Sequence, residues 1–255
     1  MHNRGVHARF YAPDATGSGI VVALPDDEAR HLTRVLRLKS GSAIHVFDGR
    51  GHEFDAIVEK AGKRDVLIAV GRSREPVARE PRVAVTLAQA VLKGDKMDDV
   101  VRDAVMMGVV AIQPLVTMRT EVALTTLQRG NRTERWRRVV VASAKQSGRA
   151  TVPAILGPRT FETVPAALGD MTLPGPGLML IEPGASDEAL SLSDLEGTAP
   201  KETTVLIGPE GGWAGEEIRL ASRACRLVTL RAPTLRADAM PLIALTALFT
   251  AWGEL

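Results

Sequence analysis

Cysteine is nearly absent from these 255 residues, with Cys225 the single one. One thiol excludes an internal disulfide framework and any CxxC metal or redox motif, which fits a reducing compartment. Its place between Ala224 and Arg226, where a helical pattern gives way to an apolar run, marks it as a structural residue. The five histidines (His2, His7, His31, His45 and His52) crowd into the first part of the chain without metal-ligand spacing, so no metal centre is expected. No apolar run approaches the 18 or more residues of a membrane span. The first residues, with His2, Arg4, His7 and Arg9, lack the apolar core of a signal peptide. A soluble, cytoplasmic protein without membrane attachment is the expectation. Neither sign of charge dominates, since 32 basic and 30 acidic residues leave a net charge of +2. That balance is too mild to name a nucleic-acid partner, and the distribution of charge has to decide. Missing too are a Walker loop, a GxGxxG turn and a GxSxG elbow, so kinase, dinucleotide-oxidoreductase and serine-hydrolase readings lack support.

What is present suggests two domains, because the chain exceeds one typical domain and 45% of it is hydrophobic. Up to residue 72 it reads as short strands at Ile20 to Leu24, Ala43 to Phe47, His52 to Val58 and Val66 to Val70. One helix, Asp26 to Leu38, interrupts them, and the spacing is that of a small β-barrel. Residues 73–81, rich in charge and containing two prolines, read as a linker. From 82 to 255 near-continuous apolar runs (Val83 to Leu87, Val109 to Ile112, Leu178 to Ile181, Thr204 to Ile207 and Leu227 to Leu230) alternate with helical patterns. That rhythm predicts an α/β domain around a mostly parallel sheet. The last helix, about Ala239 to Trp252, is apolar nearly all round and should be buried in a core or against another subunit, with Asp238 as candidate N-cap.

Two loops stand out at strand ends. Gly208-Pro209-Glu210-Gly211-Gly212 ends the run from Val205, and Thr234-Leu235-Arg236-Ala237-Asp238 follows the run to Leu230. Three glycines about a proline let backbone N–H and C=O groups approach a ligand that no Cβ shields, as reading a flat heterocycle requires. The other reading is a tight strand-to-helix turn with Glu210 as a solvated cap. A third feature is basic: on a helix, Arg132, Arg135, Arg138, Lys145 and Arg149 recur at 3/4 spacing against Glu134 alone. A stripe with so few acids suits phosphate contact better than a merely solvated face. Arg30, Arg34 and Arg37, with His31, form a second basic patch, in which His31 is either a contact to the same kind of ligand or a hydrogen-bonded surface histidine.

Taken in order, these stretches resemble the RsmE family of the SPOUT superfamily of RNA methyltransferases, nearly end to end. His31-Leu32 with Val35-Leu36-Arg37 is similar to the family's N-terminal signature. Lys93 to Pro114 matches its first α/β unit, Arg135-Trp136 through Gln146-Ser147 and Arg149 its basic helix, Gly208 to Gly212 its cofactor loop, and Leu230 with Leu235-Arg236 its final loop. The resemblance implies an N-terminal PUA-like RNA-binding barrel, a trefoil-knotted methyltransferase domain, a homodimer, and methylation of uridine N3 in 16S ribosomal RNA, within the small subunit. It further implies that S-adenosylmethionine lies among three strand ends. These are Leu180 and Glu182; Ile207, Gly208, Pro209, Glu210, Gly211 and Gly212; and Leu230, Thr234, Leu235, Arg236 and Ala237. The final loop departs from the family's usual Leu-Gly-x-Arg-Ile-Leu-Arg-x-Glu-Thr-Ala, with Arg231 for the Gly, Pro233 for the Arg, Thr234 for the Ile, Asp238 for the Glu and Ala239-Met240 for the Thr-Ala.

The chemistry so implied needs a nitrogen held in line with a methyl group and a way to manage the N3 proton. Arg236 is the candidate cation for the developing anion, since it resembles the family's arginine there; its alternative is a helix-entry residue paired with Asp238 or Glu210. Glu210 or Asp238 is the candidate proton acceptor, or else a ribose ligand or helix cap. Two other functions stay open: a SPOUT enzyme for a different nucleotide, and a non-catalytic RNA-binding assembly factor.

Overall fold

The computed structural model describes residues 8–62, 65–171, 173–195, 197, 199–230 and 233–255, so the expectations placed on His2, His7 and Arg231 lie outside the described residues. The chain divides into two compact units, residues 1–80 with 144–152, and residues 81–143 with 153–255.

In the first unit, β1 (Arg9–Tyr11), β2 (Val21–Ala23), β3 (Ala43–Phe47), β4 (Glu53–Ala61) and β5 (Val66–Arg74) form one sheet in the order β1-β3-β4-β5-β2. Alternation puts Ile44 and Val46, Phe54, Ala56 and Val58, and Val66, Ile68 and Val70 into one apolar core. β5 runs on to Arg74, two residues into the segment expected to be a linker. The predicted helix Asp26 to Leu38 is shorter and changes form. α1 (Asp26–Arg30) passes into a π-helical turn at His31–Val35, closed by the Leu36 N–H on the His31 carbonyl at 3.0 Å, and Arg37 follows in the left-handed region at φ 53°.

The second unit is the α/β body. Its elements are β6 (Ala84–Ala90), α2 (Lys96–Met107), β7 (Ala111–Val116), α3 (Leu124–Arg129), α4 (Arg132–Ser147, whose last turn belongs to the first unit), β8 (Ala154–Ile155), β9 (Arg159–Thr160), α5 (Val164–Gly169), β10 (Gly177–Leu180), β11 (Leu190–Ser191), β12 (Glu202–Ile207), α6 (Gly215–Ala221), β13 (Cys225–Thr229) and α7 (Met240–Ala251). The strand order is β11-β13-β10-β12-β6-β7-β8, with β9 beside β7, and every pairing is parallel. Such a sheet is covered on both faces, which is why β6, β10 and β12 read as apolar runs rather than alternations. The chain builds outward from β6 through β7 to β8 and then crosses back to place β12 on the other side of β6. The carboxyl ends of β10, β12 and β13 therefore gather where the order reverses, the place at which open α/β sheets bind ligands.

Cys225 is buried on β13, with its sulfur 2.6 Å from where a Cβ on Gly177 would sit. Burial pushes its thiol up to about 12, so it packs as a small apolar residue. α7 buries Ala244, Leu245, Leu248 and Phe249 but leaves Leu242 and Ile243 exposed, so it is not enclosed within this chain. Asp238 does not cap it through its side chain, because that carboxylate is engaged elsewhere.

Candidate functional site

A cleft opens at the strand ends of the second unit. Its walls come from Leu180 and Glu182 after β10, Ile207, Gly208, Pro209, Glu210 and Gly212 after β12, and Leu230, Thr234, Leu235 and Ala237 after β13, all expected from the sequence. Ile181 and Pro233, within the strand-end stretches expected to meet the cofactor, complete it together with Pro183, Trp213 and Met240, which were not foreseen. Pro183 and Trp213 adjoin expected residues, whereas Met240, at the start of α7, carried no such signal. Two expected cofactor residues, Gly211 and Arg236, are not part of the wall.

The loop after β12 is folded over Trp213. The indole is buried, donates Nε1–H to the Leu180 carbonyl at 2.8 Å and lies 5.1 Å from the Phe161 ring, tying the end of β12 to that of β10. A Cβ on Gly208 would lie 3.2 Å from the indole, a close contact that the ring would have to yield to. Gly212 sits at φ 67° with its N–H on the Pro209 carbonyl, and a Cβ there would fall 2.2 Å from Glu182 Oε1. Glycine at this position meets both a backbone and a space requirement.

Carboxylates hold this loop from both sides. Glu210 Oε1 accepts the Lys93 N–H and the Lys96 ammonium, each at 3.1 Å. Burial pushes the Glu210 carboxyl upward, but its backbone hydrogen bonds and Lys96 outweigh that, and the group titrates below the usual range. Glu217, 3% exposed, accepts the Ala214 N–H on Oε2 and the Met118 N–H on Oε1, both at 2.9 Å, so it caps α6 and fixes the loop after β7. From that second loop, Arg119 donates Nη1–H to the Gly211 carbonyl at 2.6 Å. Lys93 and Glu121, 2.5 Å apart, join the two outer loops. Sequence reading missed Glu217, Arg119 and Lys96. The acid at the third helical position of α6 was a legible sign, whereas Arg119 carried none.

After β13 the pattern differs. Arg236 is 77% exposed and gives Nε–H and Nη2–H to the two oxygens of Asp238, at 3.0 and 2.7 Å. The guanidinium hydrogen bond holds the Asp238 carboxyl below its ordinary value. This is the pairing considered above as the alternative for Arg236.

The basic stripe is only partly a free face. Arg149 is 3% exposed and locked onto Glu80 through Nε and Nη2, at 2.6 Å for the shortest contact, and Lys145 binds Glu28 at 2.7 Å while lying over the Phe10 ring. Arg9 threads between them, donating to the carbonyls of Ala144, Lys145 and Arg149 and to Glu53, so the end of α4 is a buried ionic joint within the first unit. The expectation that Lys145 and Arg149 face RNA is corrected: both are consumed internally. Arg135 binds Asp95 and Asp98, at 2.9 and 2.5 Å. Arg132 and Arg138 keep no carboxylate partner among the described residues. On the first unit, His31 packs its ring edge on Phe10, 6.1 Å between centroids, while Arg34 and Arg37 are exposed without ion pairs among the described residues. No group of His, Cys, Asp or Glu that could hold a metal occurs among the described residues.

Comparison with known proteins fits this geometry. Residues 79–249 match the RNA methyltransferase domain family and residues 24–70 the RNA methyltransferase PUA domain. The chain is 33% identical over 228 residues to the ribosomal RNA small subunit methyltransferase E of Synechocystis sp., covering 88% of this chain and 71% of that protein. A solved structure of the enzyme of the same name from Neisseria gonorrhoeae, bound to S-adenosyl methionine, superposes with a TM-score of 0.82 at 32% identity, covering 96% of this chain and 98% of that one. A Legionella pneumophila methyltransferase in complex with the same cofactor superposes at 0.84 with 28% identity and the same coverage. The fold and the strand-end cleft thus define an RNA-modifying transferase of mixed α/β class with a PUA-type domain. The chain belongs to the RNA methyltransferase family whose members are called ribosomal RNA small subunit methyltransferase E.

Proposed function

We propose that this chain transfers a methyl group from S-adenosylmethionine to N3 of a uridine in 16S ribosomal RNA. The observation that carries the reading is the charge of the cleft: among the described residues its ionisable walls are Glu182 and Glu210. Glu210 is offset by Lys96, and Glu182, without an ion pair among the described residues, leaves a carboxylate in a largely apolar wall that favours a cationic ligand with a flat apolar part. S-adenosylmethionine has that form and, when bound, supplies an electrophilic methyl group on a sulfonium. Leu180, Ile207, Leu230 and Leu235 would hold its ring, and the backbone at Gly208 and Gly212 would approach it closely. Of the departures in the final loop, which kept a non-catalytic factor in view, Pro233, Thr234 and Met240 line the cleft beside Leu230, Leu235 and Ala237.

The chain's own contribution is orientation and electrostatics. Asp238 fixes the Arg236 guanidinium by two hydrogen bonds through Nε and Nη2, and Nη1, without a partner among the described residues, would meet the anion that develops on the uracil. Glu210 and Asp238 both titrate below ordinary carboxylates, which suits them to stay charged and hold partners rather than to take the N3 proton. We assign that proton to solvent. Arg34, Arg37, Arg132 and Arg138 are the candidate phosphate contacts on the RNA.

A homodimer follows from the exposed aliphatic surface of Leu242 and Ile243 on α7 with Met106 on α2, which a second copy would cover. The knotted path of the final loop and action in the cytoplasm on the small ribosomal subunit belong to the same proposal. The test is nucleoside mass spectrometry of small-subunit RNA from a strain lacking the gene. Purified chain with S-adenosylmethionine should restore N3-methyluridine to that RNA, and a methyl group at any other atom or nucleotide would overturn the assignment.

A further inference from the structure

We propose that Arg119 seats a backbone phosphate of the RNA next to the nucleotide being methylated. The proposal rests on the methyltransferase reading and adds to it a substrate contact outside the basic helix.

Arg119 stands in the tight turn after β7, where the Thr120 N–H reaches the Thr117 carbonyl at 3.2 Å and the two threonine hydroxyls meet at 2.9 Å. The turn is pinned by the buried Glu217 through Met118, so the arginine projects from a fixed base. Its Nη1 is anchored on the Gly211 carbonyl, and its Cβ and Cδ lie 3.3 Å from where a Cβ of Gly211 would be. The anchor is neutral. The cations around it are each offset by an acid, Lys93 by Glu121, Lys96 by Glu210 and Arg236 by Asp238, whereas Arg119 has no carboxylate partner among the described residues. A guanidinium carries five N–H donors, and one carbonyl leaves most of them for a ligand.

The side of the loop on which it lies selects that ligand. Gly212 and Glu210 face the cleft while Gly211 and Arg119 are not part of its wall, so Arg119 covers the loop from outside and meets what approaches the cofactor rather than the cofactor itself. An exposed, preoriented, uncompensated guanidinium matches a phosphodiester oxygen pair, and its restraint lowers the entropy lost on contact.

The experiment measures binding of unmodified 16S transcript across a salt series, with calorimetry of S-adenosylmethionine on the same preparations, for the parent, Arg119→Gln and Arg119→Lys. Arg119→Gln should weaken RNA binding by about three- to tenfold and reduce the salt slope by about one, with any loss of cofactor affinity from the freed Gly211 carbonyl smaller than the loss of RNA affinity. Arg119→Lys should keep the slope and lose part of the affinity, since a point charge replaces a fork. An unchanged slope in Arg119→Gln overturns the proposal, whether cofactor affinity falls with it, which makes Arg119 a prop for the loop, or the rate at saturating RNA does, which makes it act on the base. If instead the parent neither binds the cofactor nor methylates the transcript, the methyltransferase reading is what fails.

Discussion

The loop after β12 and the loop after β13 face the same cleft from strands on either side of β10, yet their charges are used in opposite ways. In the first, Glu210 and Glu217 reach out to backbone N–H groups of the loops after β6 and β7, and Arg119 reaches back to Gly211. In the second, Arg236 and Asp238 bind one another two residues apart, with no hydrogen bond from either side chain to another loop among the described residues. A charge that accepts backbone hydrogen bonds from another segment fixes that segment; a charge that pairs with a near neighbour at the surface fixes little and stays available. The first loop is therefore held by its neighbours as a fixed wall for a ligand, whereas the second carries a guanidinium oriented only by its own carboxylate.

The largest effect that would break this contrast lies at Gly212. A valine there needs a β-branched residue at positive φ and puts its Cβ against Glu182 Oε1, so Gly212→Val should bring S-adenosylmethionine binding below what calorimetry detects, with the thermal midpoint near that of the parent. Gly211→Ala, whose Cβ meets only the flexible Arg119 side chain, should retain binding. Equal binding by the parent and the valine variant would mean that the wall is not fixed.

At Arg236 the contrast can be sharpened by rate. Removing one preorganised donor of this kind costs about 100- to 1,000-fold, so Arg236→Ala should lower single-turnover methylation by that order while RNA and cofactor affinities hold. The pH profile tells the same story from the carboxylate side. Both Glu210 and Asp238 have depressed pKa values, so each stays ionised throughout the range in which ordinary carboxylates are charged, and its anionic contribution is lost only as pH falls through the lowered value. From that point upward the single-turnover rate should climb with pH toward the acidity of N3 itself. A plateau beginning near neutrality would show that a protein base takes the proton.

Sequence alone carried the architecture far, because apolar runs without alternation have few explanations other than buried parallel strands, and glycines beside a strand end have few besides close approach. It placed Leu180, Ile207, Gly208, Gly212 and Leu235 on one cleft although they are far apart in the chain. Pairing was what it could not supply. A stripe at 3/4 spacing says which residues share a face, but whether an acid from another segment meets them depends on tertiary packing. Glu28 and Glu80, the partners of Lys145 and Arg149, lie more than sixty residues away. The same blindness hid Glu217 and Arg119, whose partners belong to other loops. The shortened first helix has a more local cause: the chain takes a π turn at His31–Val35 and exits through a left-handed arginine, which no period of 3.6 foretells.

The smallest effect separates spent charge from available charge along α4 and just beyond it. Arg149 is enclosed with Glu80, so Arg149→Gln breaks a largely buried pair and should lower the thermal midpoint by several degrees while the salt slope of RNA binding stays put. Arg138 is exposed and has no carboxylate partner among the described residues, so Arg138→Gln should leave the midpoint alone, reduce the slope by about one and weaken binding by less than about tenfold. Thermal scans and salt titrations on the two variants decide between the assignments. If Arg149→Gln flattened the salt dependence without a thermal cost, the ionic joint at the end of α4 would have to open in the presence of RNA. Basic residues that pair in the isolated chain would then count among its phosphate contacts, and the distinction drawn between the two loops would not extend to the helix.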